Sequence, residues 1–347
     1  MKYIVKKDIQ IEIGNNCLFG NLHNLLKVYS YHLKEYELFI LSDGLACKYL
    51  EKGKNTKEIH KNIVMNDYET ILKNLSSEIC VTDSIVKNEK TPDFMKKLMQ
   101  TIQNDVPVII IINSKCLDYQ TPPPHLKEVE AFHAVIIYGF DDEAEKLFLY
   151  DSYVYDNLQK TTSYYQAEIS FKAALENIYL YSYFECDEPK AINERYIFYK
   201  TKDVLRKFIK GNCGNKETSG IIVFESCVRD MEFLKDQKIE DSRKEFNELF
   251  YLFKIQFSFI NEYLLKFFND YTIIEKAAKE AMIKNIKIQI KDWNHFLMRM
   301  LIGSYLPDKK VIDKIMNSGF ILLDKQKNLI SDIVDVMDSI QEALVDI

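Results

Sequence analysis

Residues 14–29 read GNNCLFGNLHNLLKVY, and their reading decides the fold of the first half of the chain. Gly14-Asn15-Asn16 is a turn cluster that closes the apolar–polar alternation of residues 2–13, a stretch expected to be a short strand and its approach. Leu18, Leu22, Leu25, Leu26 and Tyr29 then recur at intervals of three and four, the period of a helix with one buried face. Asn15 or Asn16 offers the side-chain oxygen that a helix N-cap wants. Cys17 is therefore expected in the first turn of a helix. At that position free N–H groups and the positive end of the helix dipole favour a thiolate over a thiol.

Working outward, Leu38-Phe39-Ile40-Leu41 is a second short element that runs into the turn Ser42-Asp43-Gly44. Residues 66–104 read as mostly helical, with breaks near Asp83 and at Thr91-Pro92. Val106 to Asn113 is an apolar, β-rich run of the kind found in buried strands, and Thr121-Pro122-Pro123-Pro124 is a rigid extended loop. Ala131 to Tyr138 and Leu147 to Tyr150 read as strands around the turn Gly139-Phe140-Asp141-Asp142. Tyr179 to Phe184 and Tyr196 to Tyr199 read as further strands. A helix followed by antiparallel strands is an α+β layout.

Past residue 200 the pattern changes. A turn-rich stretch holds Gly211-Asn212-Cys213-Gly214 and Glu217-Thr218-Ser219-Gly220. Residues 242–347 are helical almost throughout, with Phe246, Leu249, Phe250, Phe253, Phe257, Ile260, Leu264 and Phe267 on one stripe and a break at Pro307. The expected organisation is a catalytic α+β domain over 1–200 and a mostly helical domain over 201–347. The aromatic stripe reads as bundle core before it reads as a tunnel for an acyl chain.

The 347 residues are 47% hydrophobic and 28% charged with a formal net charge of −6, which is ordinary globular composition without a basic field to attract nucleic acid. The longest apolar run, Val106 to Ile112, is too short to span a bilayer and is interrupted by Pro107, so no membrane partner is expected. The N-terminus lacks the apolar core of a signal peptide. The cysteines number seven, an odd count with no C-x-x-C pair, which fits a reducing cytoplasm better than a disulfide framework or a thiolate metal site. No Gly-rich phosphate loop and no H-E-x-x-H occurs, and no metal or bound cofactor is expected.

Acyl transfer by a thiol needs an ionised sulfur, a base beside it, a group that fixes the base, and donors for an oxyanion. Cys17 has the clearest turn-to-helix context of the seven cysteines. His133 opens the apolar strand His133-Ala134-Val135-Ile136-Ile137-Tyr138, and the chain returns past Gly139 to end a second strand at Asp151-Ser152. On antiparallel partners around that turn, His133 and Asp151 are expected to be neighbours. Taken singly, each is more often structural: a helix-start cysteine, a strand-edge histidine, an aspartate in a turn. As a set they suit nucleophile, base and orienting acid. His23 should face away on the same helix, and His125 after the triple proline stays open as another base. Asp141, Asp142, Glu143 and Glu145 suit a solvated turn better than a site for a cationic amine.

These residues resemble the N-terminal domain of butirosin biosynthesis protein H and its relatives, homologues of papain-like cysteine proteases. The first block reads Cys17, Leu22-His23-Asn24-Leu25-Leu26, Tyr29, Leu38-Phe39-Ile40-Leu41, Gly44-Leu45 and Tyr49. The second reads Val106-Pro107-Val108 and Leu117-Asp118-Tyr119, and the third His133-Ala134-Val135, Gly139-Phe140-Asp141 and Asp151-Ser152. The resemblance implies a papain-like fold, with the cysteine helix packed on an antiparallel sheet. It also implies an acyltransferase that takes an acyl group from the phosphopantetheine thioester of an acyl or peptidyl carrier protein and passes it to a small amine or diamine. It extends to an amide-forming member of thioamide-antibiotic assembly. Cys17, His133 and Asp151 carry over as nucleophile, base and orienting acid. The family's oxyanion glutamine would fall at Ile11. Either a bulge near Gly14 brings Gln10 into its place, or Asn15 or Asn16 serves with the Cys17 N–H. A glycine common after the helix aromatic is here Ser30. The rival readings are a papain-like cysteine peptidase and an inactive module that holds a carrier protein.

Overall fold

A computed structural model describes residues 2–51, 53–79, 81–120, 132–156, 161–185, 192–214 and 216–345. The chain divides into two compact units: Met1–Ser42 with Asp67–Ile192, and Asp43–Asn66 with Asn193–Ile347.

In chain order the elements of the first unit begin with β1 (Lys2–Ile4), α1 (Cys17–Lys27) and α2 (Glu35–Leu41). The chain then makes β2 (Cys47–Leu50) and β3 (Ile63–Met65), which belong to the second unit. It returns as α3 (Tyr68–Ile79), β4 (Thr82–Lys87), α4 (Pro92–Gln103), β5 (Val108–Asn113), β6 (Phe132–Asp141), β7 (Lys146–Asp156), β8 (Thr161–Ser170), α5 (Phe171–Asn177) and β9 (Ile178–Glu185). The strands form one antiparallel sheet in the order β4-β9-β5-β6-β7-β8, with β1 added on β6 at Ile4↔Gly139.

The central strands are apolar on both sides because both sides are covered. Val108, Ile110, Ile112, Val135, Ile137, Leu147 and Leu149 form one core with Phe94, Met95, Leu98 and Ile102 of α4. Ile109, Ile111, Ala134 and Ile136 point the other way and are equally buried. The first unit is thus α+β with an antiparallel sheet, against which α1 packs at β5, β6 and β7. Several local expectations change. Only Lys2–Ile4 of residues 2–13 is strand, the stretch after Val81 is β4 rather than a helical break, and β8 is a polar, exposed strand that hydrophobic pattern does not reveal. Ser30 sits at φ +63°, the left-handed region that glycine adopts freely.

The second unit continues with α6 (Glu194–Lys210), β10 (Asn212–Cys213), β11 (Glu217–Ser219), α7 (Ile222–Asp230), α8 (Ile239–Phe253), α9 (Phe259–Asp270), α10 (Lys276–Tyr305) and α11 (Lys309–Val345). Tyr196–Tyr199, expected as a strand, lies in α6. Asn193 caps that helix at Tyr196 N (2.7 Å), and Ile197, Phe198, Thr201, Val204, Leu205 and Phe208 bury one helical face. The aromatic stripe is core: the Phe224 ring lies 4.9 Å from Phe253, 5.5 Å from Phe257 and 5.0 Å from Trp293. Residues 43–66 join this unit through β2, which pairs Tyr49 with Thr218 of β11. Tyr49 is fully buried and donates to Asp230 (2.7 Å). Among the described residues no helix is long and apolar enough to cross a membrane.

Candidate active site

The loop before α1 is fixed from beneath by a buried carboxylate. Glu35, at the start of α2, accepts from Asn15 N (2.8 Å) and Asn15 Nδ2 (2.6 Å). Asn16 is the N-cap of α1, its Oδ1 taking Leu18 N (2.8 Å) and Phe19 N (3.2 Å). Cys17 is the first helical residue, and its own N–H carries no hydrogen bond among the described residues. Close packing here depends on Gly20: a Cβ on it would stand 2.8 Å from both Glu35 Oε1 and Ser152 Oγ. The helix could not approach β7 this closely with any side chain at that place.

His133 and Asp151 come from neighbouring strands. Ile136 pairs with Tyr150, so alternation puts His133 and Asp151 on one face, diagonal to each other. His133 Nε2 lies 2.7 Å from Asp151 Oδ2. Asp151 is fully buried and accepts three further bonds: from Gln120 Nε2 (2.8 Å), Tyr119 Oη (3.2 Å) and Tyr153 N (2.9 Å). A carboxylate held by this many donors keeps its orientation. Tyr119 stacks on Tyr165 (4.7 Å between ring centres), which sits opposite Asp151 on β8.

With Nε2 committed to Asp151, Nδ1 is the nitrogen left for sulfur, and Cys17 is near enough to His133 to raise the pKa of its ring. Burial alone would lower the pKa of this imidazole. The Asp151 carboxylate, and after it the Cys17 side chain, more than reverse that, and it is raised to about 10. Burial pushes the thiols of Cys116 and Cys47 up, to about 11 and about 12, and Cys227 well above the ordinary range. Cys213 is exposed on β10. Cys80 and Cys186 lie outside the described residues.

The structure therefore brings His133 to Asp151 and places Cys17 at the start of α1, near enough to act on the imidazole, and it does not bring Gln10 to them. Gln10 is exposed and bonds Asp8 (3.2 Å), because the chain before Gly14 runs on the surface without the bulge that would turn it inward. The Asn16 oxygen is spent on capping, which leaves Nδ2 as its donor. Asn15 is spent on Glu35. His23 faces away, its ring between Leu33 O (2.6 Å) and Glu12 (3.0 Å), and His125 lies outside the described residues. The acidic turn is solvated, with Asp141 Oδ1 accepting Glu143 N and Ala144 N. Sequence reasoning missed Glu35 and Gln120. Neither has a local signal, since each acts on a segment distant along the chain. Tyr119 stood in a recognised block without a role.

Comparison with known families bears on the same stretch. Residues 16–152 match the family described as Butirosin biosynthesis protein H, N-terminal. The butirosin-protein-H-like segment opens one residue before Cys17 and closes one after Asp151, so it brackets the site. No curated protein matches the chain.

Proposed function

We propose that the butirosin-protein-H-like segment is a cysteine-dependent acyltransferase of natural-product assembly in the cytoplasm, forming amides in a papain-like site. The observation that carries the reading is His133 held 2.7 Å from buried Asp151, with Cys17 near enough to raise the pKa of the ring. The family match supports a biosynthetic, acyltransferase-like role, of the antibiotic kind that its description names. The donor is an acyl or peptidyl thioester on the phosphopantetheine arm of a carrier protein, and the acceptor is a small amine or diamine, as in thioamide-antibiotic assembly.

In this mechanism the Cys17 thiolate attacks the thioester carbonyl carbon, and the Cys17 N–H donates to the oxyanion, with Asn16 Nδ2 the second candidate donor. Collapse expels the pantetheine sulfur, which takes the proton from His133 Nδ1 and leaves as a thiol. The acyl group is now on Cys17. An amine attacks it, gives a proton to the neutral imidazole, and the second collapse releases the amide and restores thiolate and imidazolium. Asp151 holds Nε2–H throughout, so that Nδ1 stays aimed at sulfur.

Intact-protein mass spectrometry after incubation with an acyl-loaded carrier protein tests this. An acyl adduct is expected on the wild-type chain and not on Cys17→Ala, whose thermal melt should stay near that of wild type. Peptide cleavage without any adduct would instead identify a peptidase. Carrier binding without either reaction would identify an inactive carrier-holding module.

A further inference from the structure

Asn21 is fully buried, four residues beyond Cys17 on α1, and its side-chain amide touches a neighbour of every group in the site. Its Nδ2 donates to the carbonyl of Cys17 itself (2.8 Å) and to the carbonyl of Ala134 (2.8 Å), next to His133. Its Oδ1 accepts from the N–H of Ser152 (3.2 Å), next to Asp151. Both Nδ2 hydrogens and the oxygen are in use. A single amide so closes separations of 4, 113 and 131 residues.

The strand it grips is shaped to be gripped. The β7–β8 ladder shifts register between Asp151 and Val154, and the β6–β7 pairing reaches only to Tyr150. Ser152 is thereby released from both neighbouring strands. Its N–H turns to Asn21 and its carbonyl takes Gly14 N (2.8 Å). The bulge trades sheet bonds for one bond to the helix that carries the sulfur and one to the loop before it.

We propose that Asn21 is the positioning residue that sets Cys17 against His133. The inference rests on the reading of Cys17, His133 and Asp151 as one reacting unit. Asn21 touches no substrate; it holds three backbones at fixed separation, and small displacements at a reacting pair are costly in rate.

The test is a double-mutant cycle on the rate of iodoacetamide alkylation of Cys17 at neutral pH, read by mass spectrometry on the full chain. Asn21→Ala is expected to slow alkylation by ~10-fold or more in the chain that keeps His133. It should change the rate little in the His133→Ala background, where there is no imidazole to be misaligned. Asn21→Ser, whose hydroxyl keeps one of the bonds, should fall between wild type and Asn21→Ala, and it carries the test if Asn21→Ala does not fold. Equal slowing in both backgrounds, or no slowing in either, would overturn the proposal. Alkylation needs no carrier protein. A His133-dependent rate without acyl adduct would sink the acyltransferase and leave Asn21 in its role, whereas an adduct with a rate indifferent to Asn21 would do the reverse.

Discussion

A buried imidazole whose pKa stands at about 10 carries its proton at neutral pH and faces the sulfur as a cation. The folded value lies above the ordinary 6.5, so the protonated ring contributes its full stability below about pH 6.5 and loses it as the pH rises toward 10. The stability gap between wild type and His133→Gln, from urea denaturation, should therefore shrink across that window; a gap that widens would contradict the assignment. Asp151→Asn should move the His133 titration, followed by NMR of its ring, toward lower pH. Ser30 gives a third prediction: relief of its left-handed backbone in Ser30→Gly should stabilise the chain by about 1 kcal/mol, read as a raised urea midpoint. At this scale the sequence was legible where signals are local. A turn running into a helix announced Cys17, and a strand, turn and returning strand announced His133 and Asp151. Gln10 was a spacing argument, and spacing does not say whether a loop turns inward. Asn21 and Gln120 could not be read at all, because their partners lie far along the chain.

Among elements, α1 against β7 is the contact that everything at the site rests on, and Gly20 is what permits it. A methyl group there meets two oxygens at 2.8 Å, one of them on a buried carboxylate. Gly20→Ala should lower stability by about 1–3 kcal/mol despite the better helix propensity of alanine. A thermal melt equal to wild type would mean that the loop gives way freely. Elements with a clear period were legible from the sequence: α1, the apolar β5, and the long helices on either side of Pro307. The failures have physical causes. Tyr196–Tyr199 is too short and aromatic a run to separate strand from one turn of helix, and only the downstream Val204, Leu205 and Phe208 reveal the period. β8 has largely polar, exposed side chains and is made a strand by the long β7 beside it. In the second unit, Gln326 on α11 accepts from Asn261 (3.0 Å), Gln289 (3.0 Å) and Trp293 (2.7 Å), locking three helices in register through a group that no apolar pattern would suggest.

At the scale of the whole chain, composition gives two units but not how the chain is shared between them. A division near residue 200 leaves residues 43–66 with the first unit, yet their partners lie in the second. His60 bonds Glu245 twice, at 2.7 Å from both its N–H and its ring, and Tyr49 reaches Asp230. A fragment ending at residue 192 should therefore expose Leu45, Cys47, Tyr49 and Ile59, all buried in the full chain. It is expected to bind an apolar dye such as ANS and to self-associate on size exclusion. A dye-silent monomer would show that residues 43–66 can be covered without the second unit.

That shared path also has a timetable. Lys48 on β2 and its ion-pair partner Glu217 on β11 are 169 positions apart. At ~5–20 residues per second, a ribosome delivers the second roughly 10–30 s after the first. Through that interval the nascent β2 has β3 along one edge but no mate along the edge that β11 will take, so the hazard to a newborn molecule is concentrated in one early, sticky stretch. Its length is set by elongation speed rather than by the strength of any bond in the finished protein.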